Sequence, residues 1–253
     1  MEWRDEGLVI GTRRHGEAAA ILEVLTRAHG RHLGLVRNGR SRTMAPALQP
    51  GNTLALGWRA RLDEHLGVFS AEPLRARAAA ALADVTALDG LNWLCALLRL
   101  LPERDPHPEL YDAAGLVADH LGDAATARAL MARLELQMLG ELGYGLDLSA
   151  CAATGAVEEL VYVSPKSGRA VSRAAGAPWA DRLLALPAFL RGEAGASADA
   201  AQIAQAFALT GYFLERDVFG PRGQRIPDGR AAFLRGRPAR GEVSGRPDGT
   251  RCG

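Results

Sequence analysis

The sequence predicts a fold in two parts: an N-terminal five-stranded barrel of the OB type, followed by a mostly α-helical domain with an inserted β-hairpin. Three observations carry this. Up to about residue 75 the apolar residues come in short runs broken by Gly, Asn or Pro. After Pro73 they recur at helical spacing in long Ala- and Leu-rich stretches. The charge is also unevenly shared, with a basic first part and a mildly acidic remainder. At 253 residues and 48% apolar content, the chain can bury a core without disulfide or metal staples.

The barrel, residues 1–75, is read from "GLVIG" (7–11), "AAAILEVLT" (18–26), "HLGLV" (32–36), "NTLALGW" (52–58) and "HLGVFS" (65–70). Five strand-length runs in so short a span fit a closed Greek-key barrel, although periodicity does not separate an OB from an SH3-like barrel. In the fourth run Leu54, Leu56 and Trp58 share one parity and Arg59 and Arg61 the other, so a strand here turns apolar groups inward and arginines outward.

The helical domain, residues 76–234, opens with "LRARAAAALADVTALDGLNWLCALLRLLPE" (74–103) and breaks at Pro102 and Pro106 before "HPELYDAAGLVADHLG". Leu130, Leu134, Met138 and Leu142 recur at i+4 along a third helix that Gly143 or Gly145 can cap. "EELVYVSPKSGRAVS" (158–172) reads as two short strands around a Ser-Pro-Lys-Ser-Gly turn, and a final helix is expected over about Asp199 to Phe219. Residues 235–253, rich in Gly, Pro and Arg, form an expected disordered basic tail.

Charge points to a candidate site. From Gly11 to Arg61 there are nine arginines (Arg13, Arg14, Arg27, Arg31, Arg37, Arg40, Arg42, Arg59 and Arg61) against Glu17 and Glu23, about +7 in a chain whose formal charge is +1. Plain surface charge is the alternative for any one of them. A small barrel, however, cannot scatter nine like charges, so some must share a surface with positive potential, for which a phosphate backbone is the natural partner. Between Arg4 and Gly57 there is no Phe, Tyr or Trp. The expected binding is therefore backbone-dominated, salt-sensitive and sequence-independent, with Arg planes or His15 and His32 stacking on bases.

Catalytic patterns are sparse. The sequence has no P-loop, GxGxxG, GxSxG or HExxH, and its six histidines show no i, i+4 pair suited to a metal. Asp5–Glu6 and Asp63–Glu64 read as solvated or turn carboxylates, so no enzyme is expected. Cys95, Cys151 and Cys252 form no CxxC pair and read as two inert thiols in or near packed regions and one in the tail. No apolar run long enough for a membrane span and no secretory signal is found, so no membrane association and a cytoplasmic location are expected.

The stretches "WRDEGLVIGTRRHGEAAAILEVLTRAHGRHLGLVRNGRSR" (3–42), "LQPGN" and "LTGYFLERDVFGPRGQRIPDGRAAF" (209–233) resemble the RecO family of bacterial recombination mediators in spacing and order. The resemblance implies an N-terminal OB-fold before a helical domain, and a non-enzymatic role in DNA repair and recombination. That role is to bind single- and double-stranded DNA, anneal complementary strands and help load the recombinase onto DNA coated by single-strand-binding protein. RecR and the acidic C-terminal tail of single-strand-binding protein are the implied partners, and the location is cytoplasmic and nucleoid-associated. Many members carry a four-cysteine zinc site; here Thr154 stands where a CxxC partner of Cys151 would, so no zinc and no cofactor are expected. His15 stands where an aromatic is usual. An OB-containing RNA-binding module and a non-catalytic adaptor remain as alternatives.

Overall fold

The computed structural model describes residues 1–62, 64–192 and 198–236; Asp63, Cys252 and the expected tail beyond Gly236 lie outside them. Strands β1 (Glu2–His15), β2 (Ala19–Thr26), β3 (Gly30–Val36), β4 (Thr53–Arg59) and β5 (Val68–Arg75) close a barrel in the order β1-β2-β3-β5-β4, with a short helix α1 (Met44–Ala47) after β3. The pairs are antiparallel except the closure, where β3 runs parallel to β5 at Leu35 and Val68. This is the five-stranded OB-like barrel the sequence predicts.

The first strand is much longer than "GLVIG". Its early half, Glu2–Glu6, pairs with β4 although it alternates only polar and half-buried residues, and a bulge between Val9 and Gly11 bends it around the barrel. The apolar run within it reads continuously because both faces are covered. Val9 joins Leu22, Val24, Leu54, Leu56, Trp58 and Phe69 inside the barrel, while Leu8, Ile10 and Leu25 join the core of the helical domain. The inward parity of Leu54, Leu56 and Trp58 is as expected, with Arg59 outside.

The stretch expected to be helical from residue 74 begins as the end of β5; helices α2 (Ala78–Ala83) and α3 (Val85–Leu98) follow, separated at Asp84, whose side chain caps α3 by accepting the Ala87 amide at 2.7 Å. Then come α4 (Pro108–His120) and α5 (Ala124–Glu141). Leu134 and Met138 are core, Leu130 and Leu142 pack half-buried against it, and Gly143 terminates α5 at φ 85°. The hairpin forms as β6 (Leu160–Val163) and β7 (Ala170–Ser172), but the sheet gains a third strand, β8 (Leu184–Ala185), after α6 (Arg173–Gly176). The helix expected over about Asp199 to Phe219 is α7 (Ala200–Phe213), started by a capping box between Asp199 and Gln202 and continued as a π-helical turn, Leu214–Phe219. An unexpected helix α8 (Asp228–Arg235) packs on α3 and buries Phe233.

Polar contacts fasten the two parts together. The buried Asn52 amide of "LQPGN" donates to the Pro46 and Ala47 carbonyls at 3.0 and 3.1 Å and accepts the Arg77 and Ala78 amides at 2.8 and 2.9 Å. One side chain thus spends its hydrogen-bonding capacity joining α1 to the start of α2.

Candidate nucleic-acid interface

The strand order decides which arginines meet. The last residues of β3 face β2 on one side, Ala20 opposite Val36, and β5 on the other, Leu35 opposite Val68. The loop leaving β3 must therefore lie between the β1–β2 turn and the β4–β5 connection. Gly39 permits the close fit: a Cβ there would stand 2.6 Å from the Ala20 Cβ. Arg40 completes it, its amide donating to the Ala18 carbonyl at 3.1 Å and its guanidinium to the Gly16 and Glu17 carbonyls at 3.1 and 2.6 Å.

Seven of the nine candidates gather at this end. Arg13 and Arg14 end β1 beside its turn, Arg37, Arg40 and Arg42 are exposed in the central loop, and Arg59 and Arg61 leave β4. Arg37, Arg59 and Arg61 line one groove of about 490 Å3 with His65. Arg37 and Arg59 also rim a neighbouring groove of about 420 Å3, together with Arg4, which lies outside the basic stretch of the sequence. Among the described residues no carboxylate pairs with Arg13, Arg14, Arg37, Arg42, Arg59 or Arg61. The loops that converge here include those on which OB barrels hold oligonucleotides. Unpaired guanidiniums around two grooves can each neutralise a phosphate.

Arg27 and Arg31 are placed elsewhere, at the β2–β3 turn facing the helical domain. Arg27 pairs with Asp112 of α4, and that hydrogen bond raises its pKa further. Arg31 donates to the Leu101 carbonyl at 2.8 Å and to Glu23 at 2.6 Å, with Glu103 at 3.6 Å. Glu23 also accepts from Arg99 of the helical domain at 2.9 Å. His32 cannot stack on a base: it is buried inside the barrel, edge-on to Trp58 at 4.8 Å and to Trp3 at 5.1 Å. His15 is exposed at the end of β1. Asp5 accepts the Ala28 amide at 2.8 Å, and so serves as a turn carboxylate.

In the helical domain a largely apolar groove of about 490 Å3 lies between α5, α7 and α8, lined by Ile203, Ala204, Phe207 and Leu234 with Arg128 and Arg230 at its sides. Arg230 is anchored by the fully buried Glu135 at 2.9 and 2.8 Å, and Trp93 donates to the same carboxylate at 2.7 Å. Arg128 donates to the Phe233 carbonyl at 2.9 Å. Cys151 is buried, and its sulfur accepts the Ser172 amide at 3.2 Å; hydrogen bonds from Ser172 and Thr154 lower the thiol pKa to about 6. Among the described residues no three His, Cys, Asp or Glu side chains converge as metal ligands, and no helix is long and apolar enough to cross a membrane.

Residues 1–77 match the family description "Recombination protein O N terminal" and residues 82–226 match "Recombination protein O C terminal". The chain is 60% identical to the DNA repair protein RecO of Chelativorans sp. (strain BNC1) over 234 residues, covering 92% of this chain and 94% of that protein. It is 61% identical to the DNA repair protein RecO of Mesorhizobium japonicum, covering 92% of each chain. With that of Methylocella silvestris the identity is 60%, over 92% and 95%.

Proposed function

Because the chain belongs to the RecO family of DNA repair proteins, we propose that it is a non-catalytic mediator that binds single- and double-stranded DNA through the loop end of its barrel. The observation that carries this reading is the gathering of Arg13, Arg14, Arg37, Arg40, Arg42, Arg59 and Arg61 at one end of the barrel, where Arg37, Arg59 and Arg61 line the grooves. Arg27 and Arg31 act in this reading as fasteners between the two parts. A surface that neutralises phosphates also offsets the repulsion between two DNA strands, which is what annealing requires. Family membership supports extending this reading to assistance in recombinase loading, to RecR as a partner and to work on cytoplasmic, nucleoid-associated DNA. The tail of single-strand-binding protein, acidic and apolar, suits the groove between α5, α7 and α8, where Arg128 would meet a carboxylate.

The test is a salt titration of the whole chain with single-stranded DNA, duplex DNA and RNA. A linear fall of log K with log salt on both DNA forms supports the reading; salt-independent binding, or binding to RNA alone, overturns it. For the second groove, Ala204→Glu is the probe, since Ala204 is exposed and lines it. A tail peptide that binds this variant and the parent equally well binds elsewhere.

A further inference from the structure

The groove of about 420 Å3 rimmed by Arg4, Arg37 and Arg59 differs from a plain phosphate track. Its floor lies where β4 and β5 carry small residues opposite one another: Gly57 faces Ser70, and the Ser70 hydroxyl folds down to donate to the Gly57 carbonyl at 3.2 Å. Only that hydroxyl stands over Gly57, 2.6 Å from where a Cβ would be. The walls are apolar, with Met44 and Val68 half-buried beside the covered Phe69. Glu2, opposite Arg59 across the β1–β4 ladder, is the one carboxylate among the described residues that lines it. A carboxylate and apolar walls are poor company for a phosphate, whereas the arginines stand at the rim.

We propose that this trough holds an unpaired nucleobase, with the backbone phosphates on either side of it engaging the rim arginines. The inference rests on the DNA-binding reading and deepens it: the loops bind phosphate of any strand, and the trough adds affinity that only a strand with unpaired bases can use. The volume falls within the range of about 300–1,000 Å3 typical of small-molecule sites. Flat guanidinium groups at Arg37 and Arg59 can cover a base as well as bind phosphate, and the Met44 side chain adapts to purine or pyrimidine alike. Asn38, Glu2 and Ser70 are its polar lining besides the arginines, and the trough discriminates single strands from duplex because only an unpaired base can enter it.

The experiment compares an oligothymidylate with an abasic oligomer of equal length and charge, titrated into the whole chain over a range of salt. The abasic oligomer is expected to bind about tenfold more weakly with the same salt slope, since one base contact supplies about that factor. Ser70→Leu, at an exposed position, fills the trough; it is expected to lower oligothymidylate affinity to the abasic level and leave abasic and duplex binding unchanged. Equal affinity for the two oligomers on the parent protein overturns the inference whatever the variant does, while DNA binding by the loops stands. If neither oligomer binds, the DNA-binding reading itself falls.

Discussion

Arg31 enters β3 and Arg37 leaves it, roughly 20 Å apart along one strand, yet they live under different rules. Arg31 is shielded, with the Leu101 carbonyl, Glu23 and Glu103 around it. Arg37 is exposed at the edge of two grooves, with no carboxylate partner among the described residues. The difference lies in what the helical domain brings to each end. It supplies Leu101, Glu103 and Asp112 to the turn before β3, whereas among the described residues it brings no carboxylate to Arg37. A local count of charge is therefore a poor guide to binding until the partners of each charge are known.

The largest expected effect would break the comparison at its exposed end. Replacing Arg37, Arg40 and Arg42 with Ala is expected to shallow the slope of log K against log salt by about 2 to 3 units and to weaken all sequences alike. Arg40 also braces the loop, so thermal melting should accompany the titration, with a small decrease traceable to that residue. A triple variant that binds like the parent across the salt range would make the loop a solvated turn. Next comes the shielded end. Arg31→Ala should cost about 2 kcal/mol of stability, because it leaves the half-buried Glu23 with one fewer cation and the Leu101 carbonyl without its donor, while the salt slope stays put. Denaturant unfolding measures this; a changed slope with unchanged stability would reverse the assignment of the two ends.

Arg27→Ala sharpens the contrast further, since its pair with Asp112 is half exposed. Its loss should leave both the melting temperature and the DNA affinity close to those of the parent, as read by melting and titration. The smallest effect concerns acid. The Arg77 hydrogen bond holds Asp119 below its ordinary value of 3.8. Its contribution is therefore present above that value and lost as pH falls below it through the lowered pKa of the folded state. Solvent screening keeps it well under about 1 kcal/mol. Asp119→Asn should flatten stability slightly between neutral pH and pH 3 in acid unfolding curves; an unaltered acid profile would show the pair to be inert.

Much of the architecture was readable in the chain, and the failures have physical causes. Leu54, Leu56 and Trp58 announced an inward face because one side of β4 meets only core. Glu2–Glu6 gave no such signal, since neither of its faces is apolar throughout, and Arg4 was missed with it. The parity of "HLGLV" sets His32 with Val36 and could have placed it inside the barrel; its polarity suggested otherwise. Helix α8 is short and begins after Pro227, and what holds it is tertiary: Phe233 in the core and Arg230 on Glu135. The division of nine arginines into seven and two was out of reach, because Asp112 lies 85 residues from Arg27 and Leu101 lies 70 from Arg31.

The first strand is a wall shared by two rooms. Val9 faces the barrel interior, while Leu8 and Ile10 belong to the core on the other side. A barrel lifted out of this protein and grafted onto another would arrive with Leu8, Ile10 and Leu25 bare and an apolar patch in need of cover. Recombination between genes that cut near residue 75 would then yield sticky, poorly folded halves. The two parts are bound to be inherited together, even where the chain between them looks like a convenient place to cut.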